Sequence, residues 1–424
     1  MATAISKTEN LEELRQILHQ SIDELLLELD THSQSHPSLK QRNPEDLLMA
    51  PVGKTPRMII VRACEKITTL VQGPMDWMMR STGGHVFPAV LSTAMELRLH
   101  HLISANHQKP TSLANLESSS GGSQELISRL LRYLTQRFVF QEVLPGHYIH
   151  NANSIILQLP GVEALLGLCS DDILRAASAL STVMKENDFQ IDGGKSAFSK
   201  AFQTTLESFD YYYQKEPERG RRFSLGMTPF TGSYVSSLAL YPFEDLRSGA
   251  LLVDVGGGSG HVSSEIAKAN QHIRFVVQDY EEPISLGRSK YKDSGLPIEW
   301  QVHNAFQPQP VKGADVYFMR RVLHDHSDSI AADVLKMIVT AMDENSRILI
   351  EDMIAPDLYG EDSEWFINHA DMVMMMMHNA KERTLTQWEA LFKKADERLR
   401  IVKVWRDNKD TGGYSAIIEV ILNV

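Results

Sequence analysis

A histidine–aspartate pair near residue 324 is the part of the sequence best suited to acid–base chemistry. His324 and Asp325 follow the strand-like run ADVYFM at 314–319. A lone histidine is more often structural than catalytic, but a place just beyond a strand end, beside a carboxylate, favours catalysis. Imidazole has an ordinary pKa near 6.5, so it can take a proton from a hydroxyl group at neutral pH. We predict that His324 is a general base, and His326 a pocket or surface residue.

A glycine-rich loop follows an earlier strand-like run, ALLVDV, and the stretch 253–261 reads VDVGGGSGH. Glycines at such a strand–helix junction let the backbone approach a ligand and point its amides at it. The dinucleotide pattern G-x-G-x-x-G would need a third glycine at 261, where this chain has His261. The loop therefore argues against a dinucleotide.

Two carboxylates beside this loop narrow the choice of ligand. Asp254 precedes the glycines, where it would repel a pyrophosphate but suit a cationic amino acid. Asp279 ends the next strand-like run and is placed to accept hydrogen bonds from a ribose diol. An adenosine without phosphates, carrying an ammonium and a sulfonium, meets both demands. The pattern therefore predicts S-adenosylmethionine (SAM) as the cofactor.

Two further acids follow in the chain. Asp352 lies near the end of the run RILIEDM, and Glu382 lies in NAKERT. Carboxylates at these places could orient the imidazole of His324, although each acid read alone is as well explained as a solvated surface group. Between them, DMVMMMMH at 371–378 supplies polarisable methionines that suit a pocket for a flat aromatic ligand; a buried helix filled with methionine gives the same pattern.

The elements that must position these residues alternate from residue 250 onward. Strand-like runs fall at 250–255, 273–278, 314–319 and 347–353, with helical stretches at 260–270 and 329–342. Apolar strands alternating with helices predict a mostly parallel sheet covered on both faces, which binds ligands beyond the carboxyl ends of its strands. Two late runs, 400–406 and 415–423, predict an antiparallel ending. The fold class is therefore α/β.

Composition excludes several other classes. The 424 residues are 43% hydrophobic and 23% charged, which excludes disordered, collagen-like and coiled-coil chains. A formal charge of −12 argues against nucleic-acid partners. Two cysteines cannot supply a disulfide framework or a zinc site, and we expect no metal. Without a long apolar run or a leader-like N-terminus, we expect a cytoplasmic protein that contacts no membrane.

The N-terminal half is read as helical. A stripe of leucine and isoleucine predicts a helix at 11–29. Farther on, helices followed by short β pieces at 138–140 and 148–150 give the outline of a winged-helix unit. Its recognition helix would be SQELISRLLRYLTQR, whose best positions carry leucine, so we favour a structural or dimerisation role over DNA contact. The basic patch RGRR at 219–222 fits an ion-paired helix end better than an anion site.

These observations divide the chain into four parts. We predict an N-terminal helical extension at 1–55, a winged-helix-like dimerisation domain at 56–160, a helical connector at 161–245 and a Rossmann-like domain that binds SAM at 246–424.

The motifs taken together resemble those of the class I SAM-dependent O-methyltransferases of the caffeate type, and more closely the fungal polyketide (sterigmatocystin-type) O-methyltransferases. The likeness covers nearly the whole chain and rests on VDVGGGSGH, VVQDY, RRVLHDHSD and KERT in that order. It implies an N-terminal winged-helix dimerisation domain, a homodimer and a Rossmann-like catalytic domain.

The resemblance also implies roles for individual residues. His324 would be the base, positioned by Glu382 and by Asp352, where the family usually has a glutamate. The residues that would hold the cofactor are Asp254, Gly256, Gly258, Asp279, Asn304 and Arg320; the last two stand where plant members have aspartate and lysine. A substrate pocket would include Met376, His378 and Asn379.

The implied reaction is metal-free methylation of a phenolic or enolic hydroxyl on an aromatic, polyketide-like secondary metabolite. Some proteins of this fold have instead lost methyl transfer and catalyse pericyclic or dehydration steps. Because the base position of those proteins tends to carry another residue, His324 favours methylation. A winged-helix regulator that binds a small molecule is a third hypothesis, against which the acidic charge argues, and a dehydrogenase is disfavoured by the glycine spacing.

Overall fold

The computed structural model describes residues 10–40, 52–106, 108–191, 194–228, 236–357, 365–406 and 415–423. The chain divides into two compact units, Met1–Ser181 with Phe198–Ser233 and Thr182–Ala197 with Tyr234–Val424. We call them the first unit and the second unit. The predicted connector 161–245 contributes residues to both units, and the four-part division made from the sequence stays a prediction.

The first unit is mainly helical. Its helices, the last residues of α10 belonging to the second unit, are α1 (Leu11–Thr31), α2 (Lys54–Gln72), α3 (Pro74–Thr82), α4 (Val86–Glu96), α5 (Leu99–Leu102), α6 (Leu113–Ser120), α7 (Gln124–Gln136), α8 (Ala152–Ile155), α9 (Pro160–Leu168), α10 (Leu174–Glu186), α11 (Ala197–Ala201), α12 (Ser208–Gln214) and α13 (Pro217–Gly226). The predicted first helix is confirmed: Asn10 caps it by accepting from the Glu12 amide, and Leu14 packs against Ile59 of α2.

A small sheet accompanies these helices. Its strands are β1 (Thr111–Ser112), β2 (Gln141–Leu144) and β3 (His147–Ile149), in the order β1-β3-β2 with antiparallel pairing. The predicted β piece at 138–140 is wrong, because Phe138 and Phe140 have left-handed φ angles of 60° and 65° and the strand begins only at Gln141. The hairpin itself, with its turn at Pro145–Gly146, is present.

The second unit contains a seven-stranded sheet. Its strands are β4 (Leu251–Val255), β5 (Arg274–Asp279), β6 (Ile298–Val302), β7 (Val316–Arg320), β8 (Arg347–Met353), β9 (Leu399–Arg406) and β10 (Ser415–Leu422). Its further helices are α14 (Ser237–Leu240), α15 (His261–Ala269), α16 (Glu281–Lys290), α17 (Asp328–Val339), α18 (Trp365–His378) and α19 (Leu385–Ala395).

The strand order is β6-β5-β4-β7-β8-β10-β9, with β10 antiparallel to both β8 and β9 and the other pairings parallel. The α/β prediction and the antiparallel ending are confirmed. Strand order reverses between β4 and β7, so the loops after these two strands diverge and leave room for a ligand there. These loops carry the glycine stretch and His324 respectively.

Two apolar clusters cover the sheet. One includes Val253, Tyr317 and Trp388, the other Leu252, Phe275 and Phe318, so neighbouring residues of one strand serve opposite faces. This packing fixes the strand register and, with it, the height at which each strand ends.

No single helix within the described ranges is long and apolar enough to cross a membrane. The pair Ala152–Gln158 and Pro160–Glu186 passes that test only together, and it is bent by 98°. Cys64 and Cys169 are both free thiols.

Candidate active site

The imidazole of His324 lies in a short 3-10 turn, Leu323–Asp325, that directly follows β7. Its Nδ1 atom is 2.9 Å from Oε1 of Glu382, which lies just before α19. The fold therefore brings together two residues that are 58 positions apart in the chain. Because Nδ1 is committed to a carboxylate, Nε2, which lies 3.6 Å from Oδ1 of Asp325, is the nitrogen left to take a proton from a bound hydroxyl.

Asp352 approaches the same imidazole from β8 without forming a hydrogen bond to it. Its Oδ1 atom is 3.8 Å from His324 Nδ1 and accepts a bond from the Met353 amide. The second oxygens of both acids, Asp352 Oδ2 and Glu382 Oε2, are buried and have no hydrogen-bond partner among the described residues. The predicted trio is thus one hydrogen-bonded pair with a third charge beside it.

Charge dominates the titration of this site. Burial lowers the pKa of His324, but the carboxylates of Asp352, Asp325 and Glu382 outweigh it and raise the pKa to about 10. Burial likewise raises the pKa of Asp325, to about 6, and that of Asp352. Glu382 goes the other way: despite its burial, His324, Arg321 and Arg383 hold its pKa below the usual range. His324 is therefore a strong base surrounded by acids.

Arg321 is a site residue that the sequence reasoning did not single out. Its φ of 55° lies in the left-handed region, which costs about 1–2 kcal/mol for a residue other than glycine. In this conformation the guanidinium reaches Asp352 and Ser415: Nη1 lies 3.5 Å from Asp352 Oδ1, and Nη2 donates to Ser415 Oγ at 2.9 Å. The doubled arginine of RRVLHD was the available signal.

Arg383 is the second residue that was missed, although KERT had been noted for its glutamate. The side chain is fully buried; Nη1 donates to the Leu323 carbonyl at 2.8 Å and Nη2 to the His326 carbonyl at 2.7 Å. Its Nε atom donates to Asp328 at 2.9 Å, and the guanidinium lies 5.2 Å from the ring centre of Trp388. Arg383 thus holds the backbone on both sides of His324.

One imidazole and two carboxylates, from His324, Asp352 and Glu382, place ligand atoms within 4.8 Å of one another, as a metal site does. Arg321 already brings a positive charge to this group, since its Nη1 lies 3.5 Å from Asp352 Oδ1. The donor set therefore fits a charge-balanced base as well as a cation site.

The glycine loop forms a backbone cradle between two acids. Gly256, Gly258 and Gly260 have φ angles of 75°, 59° and 68°, and a Cβ on Gly257 would lie 2.6 Å from the Asp254 carboxyl group. Gly256 touches the neighbouring loop, since a Cβ there would lie 2.7 Å from Cγ2 of Val322. The loop therefore carries no side chain at residues 256–258, where a ligand can approach the backbone closely.

The two loop acids are held by hydrogen bonds. Asp254 Oδ2 accepts from Ser263 Oγ at 2.6 Å, and Asp279 Oδ2 accepts from the Gly258 amide at 2.8 Å. Burial raises the pKa of Asp254 to about 7 against the Ser263 bond, and burial also raises that of Asp279. A cationic ligand would favour ionisation of both groups. The residues present thus fit an adenosyl group that carries positive charge.

The other residues predicted for cofactor binding have partners of their own. Arg320 Nε donates to Glu351 Oε1 at 2.7 Å, and Glu351 also accepts from Ser237. Asn304 is exposed after β6, where its Oδ1 accepts from the Phe306 amide at 2.9 Å. Their contact with a cofactor stays a prediction.

The predicted substrate residues lie at the end of α18. Met376 is half-buried, and Nε2 of His378 is 3.8 Å from Asp325 Oδ1. Asn379, with a left-handed φ of 55°, donates through Nδ2 to the carbonyls of Ile191 and Gly194. The side-chain amide nitrogen of Asn379 therefore binds Ile191 and Gly194, while Asp325 lies beside both His378 and His324; the pocket assignment itself stays a prediction.

Comparison with known proteins agrees with this geometry. Residues 182–396 match the model of the O-methyltransferase domain, and residues 79–157 match that of the O-methyltransferase dimerisation domain. O-methyltransferase xanE of Aspergillus fumigatus is 37% identical over 98% of this chain and 97% of its own length. Sterigmatocystin 8-O-methyltransferase of Aspergillus parasiticus is 36% identical over 86% of each protein.

Solved structures show the same likeness. Two of them, described as a pericyclic reaction enzyme and as LepI in complex with SAM, are each 29% identical with a TM-score of 0.74, covering 87% of this chain and 94% of theirs. With a matched methyltransferase domain, full-length relatives and a SAM-bound neighbour, the chain belongs to the family of SAM-dependent O-methyltransferases.

Proposed function

We propose that this chain transfers a methyl group from SAM to a phenolic or enolic hydroxyl of an aromatic polyketide, with His324 as the general base. The observation that carries the proposal is the 2.9 Å contact between His324 Nδ1 and Glu382 Oε1. It fixes the ring and its tautomer, and so leaves Nε2 with the lone pair that a base needs.

The chain's own residues supply binding, orientation and the base. Asp254, Gly256, Gly258 and Asp279 hold the cofactor in this proposal, with Arg320 and Asn304 at its margins. When bound, SAM supplies a methyl group already activated on a sulfonium, and its transfer leaves S-adenosylhomocysteine. Orientation of the hydroxyl by the pocket accounts for much of the rate. His324 takes the hydroxyl proton onto Nε2 as the oxygen forms its bond to carbon, and later releases that proton to solvent.

The raised pKa of His324 suits a phenol. A phenolic hydroxyl such as that of tyrosine has a pKa of about 10, and His324 titrates at about 10 as well. Proton transfer between matched groups is close to thermoneutral, which favours general-base catalysis. The cost is that little of the imidazole is neutral at pH 7, so kcat/KM should rise with pH. A cation bound beside the ring would lower its pKa and move that rise to lower pH.

The substrate class and the assembly are also part of the proposal. The wall around the base includes Met376 and His378, which suits a flat aromatic ring, and a relative acts on sterigmatocystin by name. We further propose a homodimer, supported by the match of residues 79–157 to a dimerisation domain, which light scattering on the full chain would test.

The direct test is methyl transfer from labelled SAM to a panel of phenolic polyketides. His324→Ala should lower the rate by roughly 10²- to 10⁴-fold. His272→Ala is the matched control, because its Nε2 contacts the Leu246 carbonyl at the opposite, amino end of the strands. A His324→Ala enzyme that methylates as fast as wild type would contradict the assignment of the base.

A second candidate reaction is pericyclic, favoured by the 29% identity to a protein described as a pericyclic reaction enzyme. In that case bound SAM would act as a fixed charge without losing its methyl group. Substrate converted to an isomer, with cofactor bound and no label transferred, would establish this second reaction and overturn the first.

A further inference from the structure

Three side chains of metal-binding type meet in the first unit. His100 and His101 lie in α5, and Glu163 lies in the first turn of α9. One ligand atom from each of the three lies within 4.8 Å of the other two. The sequence separates the histidines from the glutamate by about sixty residues, so it is the fold that assembles this group.

Each imidazole lies close to one oxygen of Glu163, at about the spacing of neighbouring ligands in a tetrahedral site. His100 Nε2 is 3.0 Å from Glu163 Oε1, and His101 Nε2 is 3.4 Å from Glu163 Oε2. With zinc–ligand bonds of about 2.0–2.1 Å, neighbouring corners of a tetrahedron are roughly 3.3 Å apart. We propose that His100, His101 and Glu163 bind one divalent transition-metal ion, with Zn²⁺ the best match, and that water completes the fourth position.

A simple pair of histidine–glutamate hydrogen bonds would give similar distances, so other features must favour the metal. Residues i and i+1 of a helix normally face different ways, yet both imidazoles here turn to one carboxylate, and their ring centres are 4.1 Å apart.

The surroundings hold one side of the site rigid and leave the other open. The His100 carbonyl accepts from His150 Nε2 at 3.0 Å and from Gln158 Nε2 at 3.1 Å. The His100 side chain is 1% exposed, whereas those of His101 and Glu163 are 31% and 38% exposed. An ion and its water can therefore enter from the solvent side, and once bound they would tie α5 to α9.

One feature limits the affinity. Nδ1 of His100 is buried without a hydrogen-bond partner among the described residues. A metal-bound imidazole usually donates its other N–H to a carboxylate, a backbone carbonyl or a water molecule. We therefore expect binding weaker than that of a structural zinc finger, and a site that is occupied only when free Zn²⁺ is supplied.

The test is calorimetric titration of the full chain with zinc chloride, carried out in a His324→Ala background to remove the other imidazole–carboxylate group. One equivalent should bind. Loss of a group that only hydrogen-bonds to a metal ligand weakens metal binding roughly tenfold to hundredfold. His101→Ala and Glu163→Gln each change a ligand itself, so each should weaken zinc binding by more than that. The amide of Glu163→Gln can still accept a hydrogen bond, so this variant separates the loss of an anionic ligand from the loss of a hydrogen bond.

His147→Ala is the matched control, since Nδ1 of this β3 histidine lies 3.0 Å from the Pro145 carbonyl of its own turn; the zinc affinity of this variant should equal that of the parent. Zn²⁺ should also raise the Tm of the parent and of His147→Ala, but not that of Glu163→Gln. Equal affinity of Glu163→Gln and parent, or absence of stoichiometric binding by the parent, would overturn the proposal.

Discussion

Two charge clusters, one in each unit, differ in how many of their carboxylate oxygens have a partner. In the first unit, all four carboxylate oxygens of Asp171 and Asp172 meet a guanidinium from Arg175, Arg219 or Arg222, at 2.5–2.8 Å. In the second unit, one oxygen of Asp352 and one of Glu382 are buried without a hydrogen-bond partner among the described residues. We call the first cluster saturated, because each of its carboxylate oxygens has a partner. The second cluster still has carboxylate oxygens that could accept a hydrogen bond.

The difference separates a structural role from a chemical one. Saturated ion pairs hold α9, α10 and α13 of the first unit in place, and the RGRR patch is thereby explained as an ion-paired helix end. Unpaired carboxylate oxygens cost stability when they are buried. In the second unit, the carboxylates of Asp352, Asp325 and Glu382 together raise the pKa of His324 to about 10, which suits the general base that we propose.

The largest expected effect comes from breaking the saturated cluster. Asp172→Ala leaves Arg219 and Arg222 sharing one carboxylate, and removal of one partner from a buried ion pair costs about 3–5 kcal/mol. Urea unfolding should show this loss in the free energy of unfolding. Asp76→Ala, which removes the exposed i,i+4 pair with Arg80, should change that free energy by less than about 1 kcal/mol. Equal effects of the two substitutions would show that saturation adds nothing.

Next in size is the loss of Glu382. Glu382→Gln removes the charge beside the imidazole and weakens the hydrogen bond that orients it, because a neutral amide replaces a carboxylate, so we expect kcat/KM to fall at least about a hundredfold. Its rising pH limb should move to lower pH, because a negative charge that raises the His324 pKa is gone.

Asp352→Asn is the informative partner, since its 3.8 Å contact contributes charge but no hydrogen bond. We expect a comparable shift of the pH profile with a loss of plateau rate within about tenfold. A loss as large as that of Glu382→Gln would mean that Asp352 orients the ring as well.

Arg383→Lys should act through position. A single lysine ammonium cannot contact Asp328 and, at the same time, both carbonyls that flank His324. The imidazole therefore shifts, and we expect kcat to fall about tenfold or more, with KM less affected. Arg247→Lys is the matched control, because Arg247 makes a two-point contact with Asp315 at the amino end of the strands. If both variants lose the same activity, the loss reflects general arginine chemistry rather than the grip on the His324 turn.

The stability of the fold should also depend on pH through His324. The pKa of His324 is about 10 in the folded chain and about 6.5 when unfolded, so the protonated ring stabilises the fold fully below about pH 6.5. This contribution is lost as the pH rises through about 10. The stability difference between wild type and His324→Gln should therefore shrink between pH 7 and pH 10, as denaturant titrations at each pH would show; a constant difference would contradict the raised pKa.

Much of the second unit was predictable because its signals are local. Strands β4, β5, β7 and β8 are continuous apolar runs, and their carboxyl ends carry the polar residues of the site. Strand β6 was missed because IEWQV alternates apolar and polar residues at the edge of the sheet, and such a short alternation does not stand out. Its side chains still matter, since Trp300 packs against the positions of Gly260 and Gly287.

The site was predictable by residue type but not by contact. His324, Asp352 and Glu382 follow from motif and strand position, whereas the roles of Arg321 and Arg383 depend on three-dimensional hydrogen bonds that no spacing encodes. The left-handed φ of Arg321 is an example. A glycine at this position would have indicated the turn in the sequence, whereas an arginine gives no such signal.

The contact between Gly256 and Val322 has a consequence for engineering. A library that randomises residue 256 alone should return almost only glycine, because any Cβ meets Val322 at 2.7 Å and the φ of 75° adds strain. Shortening Val322 removes the collision but not the backbone strain, so a library that varies both positions should admit side chains at residue 256 only at a remaining cost in stability. Laboratory evolution of this loop would therefore have to vary Val322 together with residue 256 and start from a protein stable enough to bear that cost.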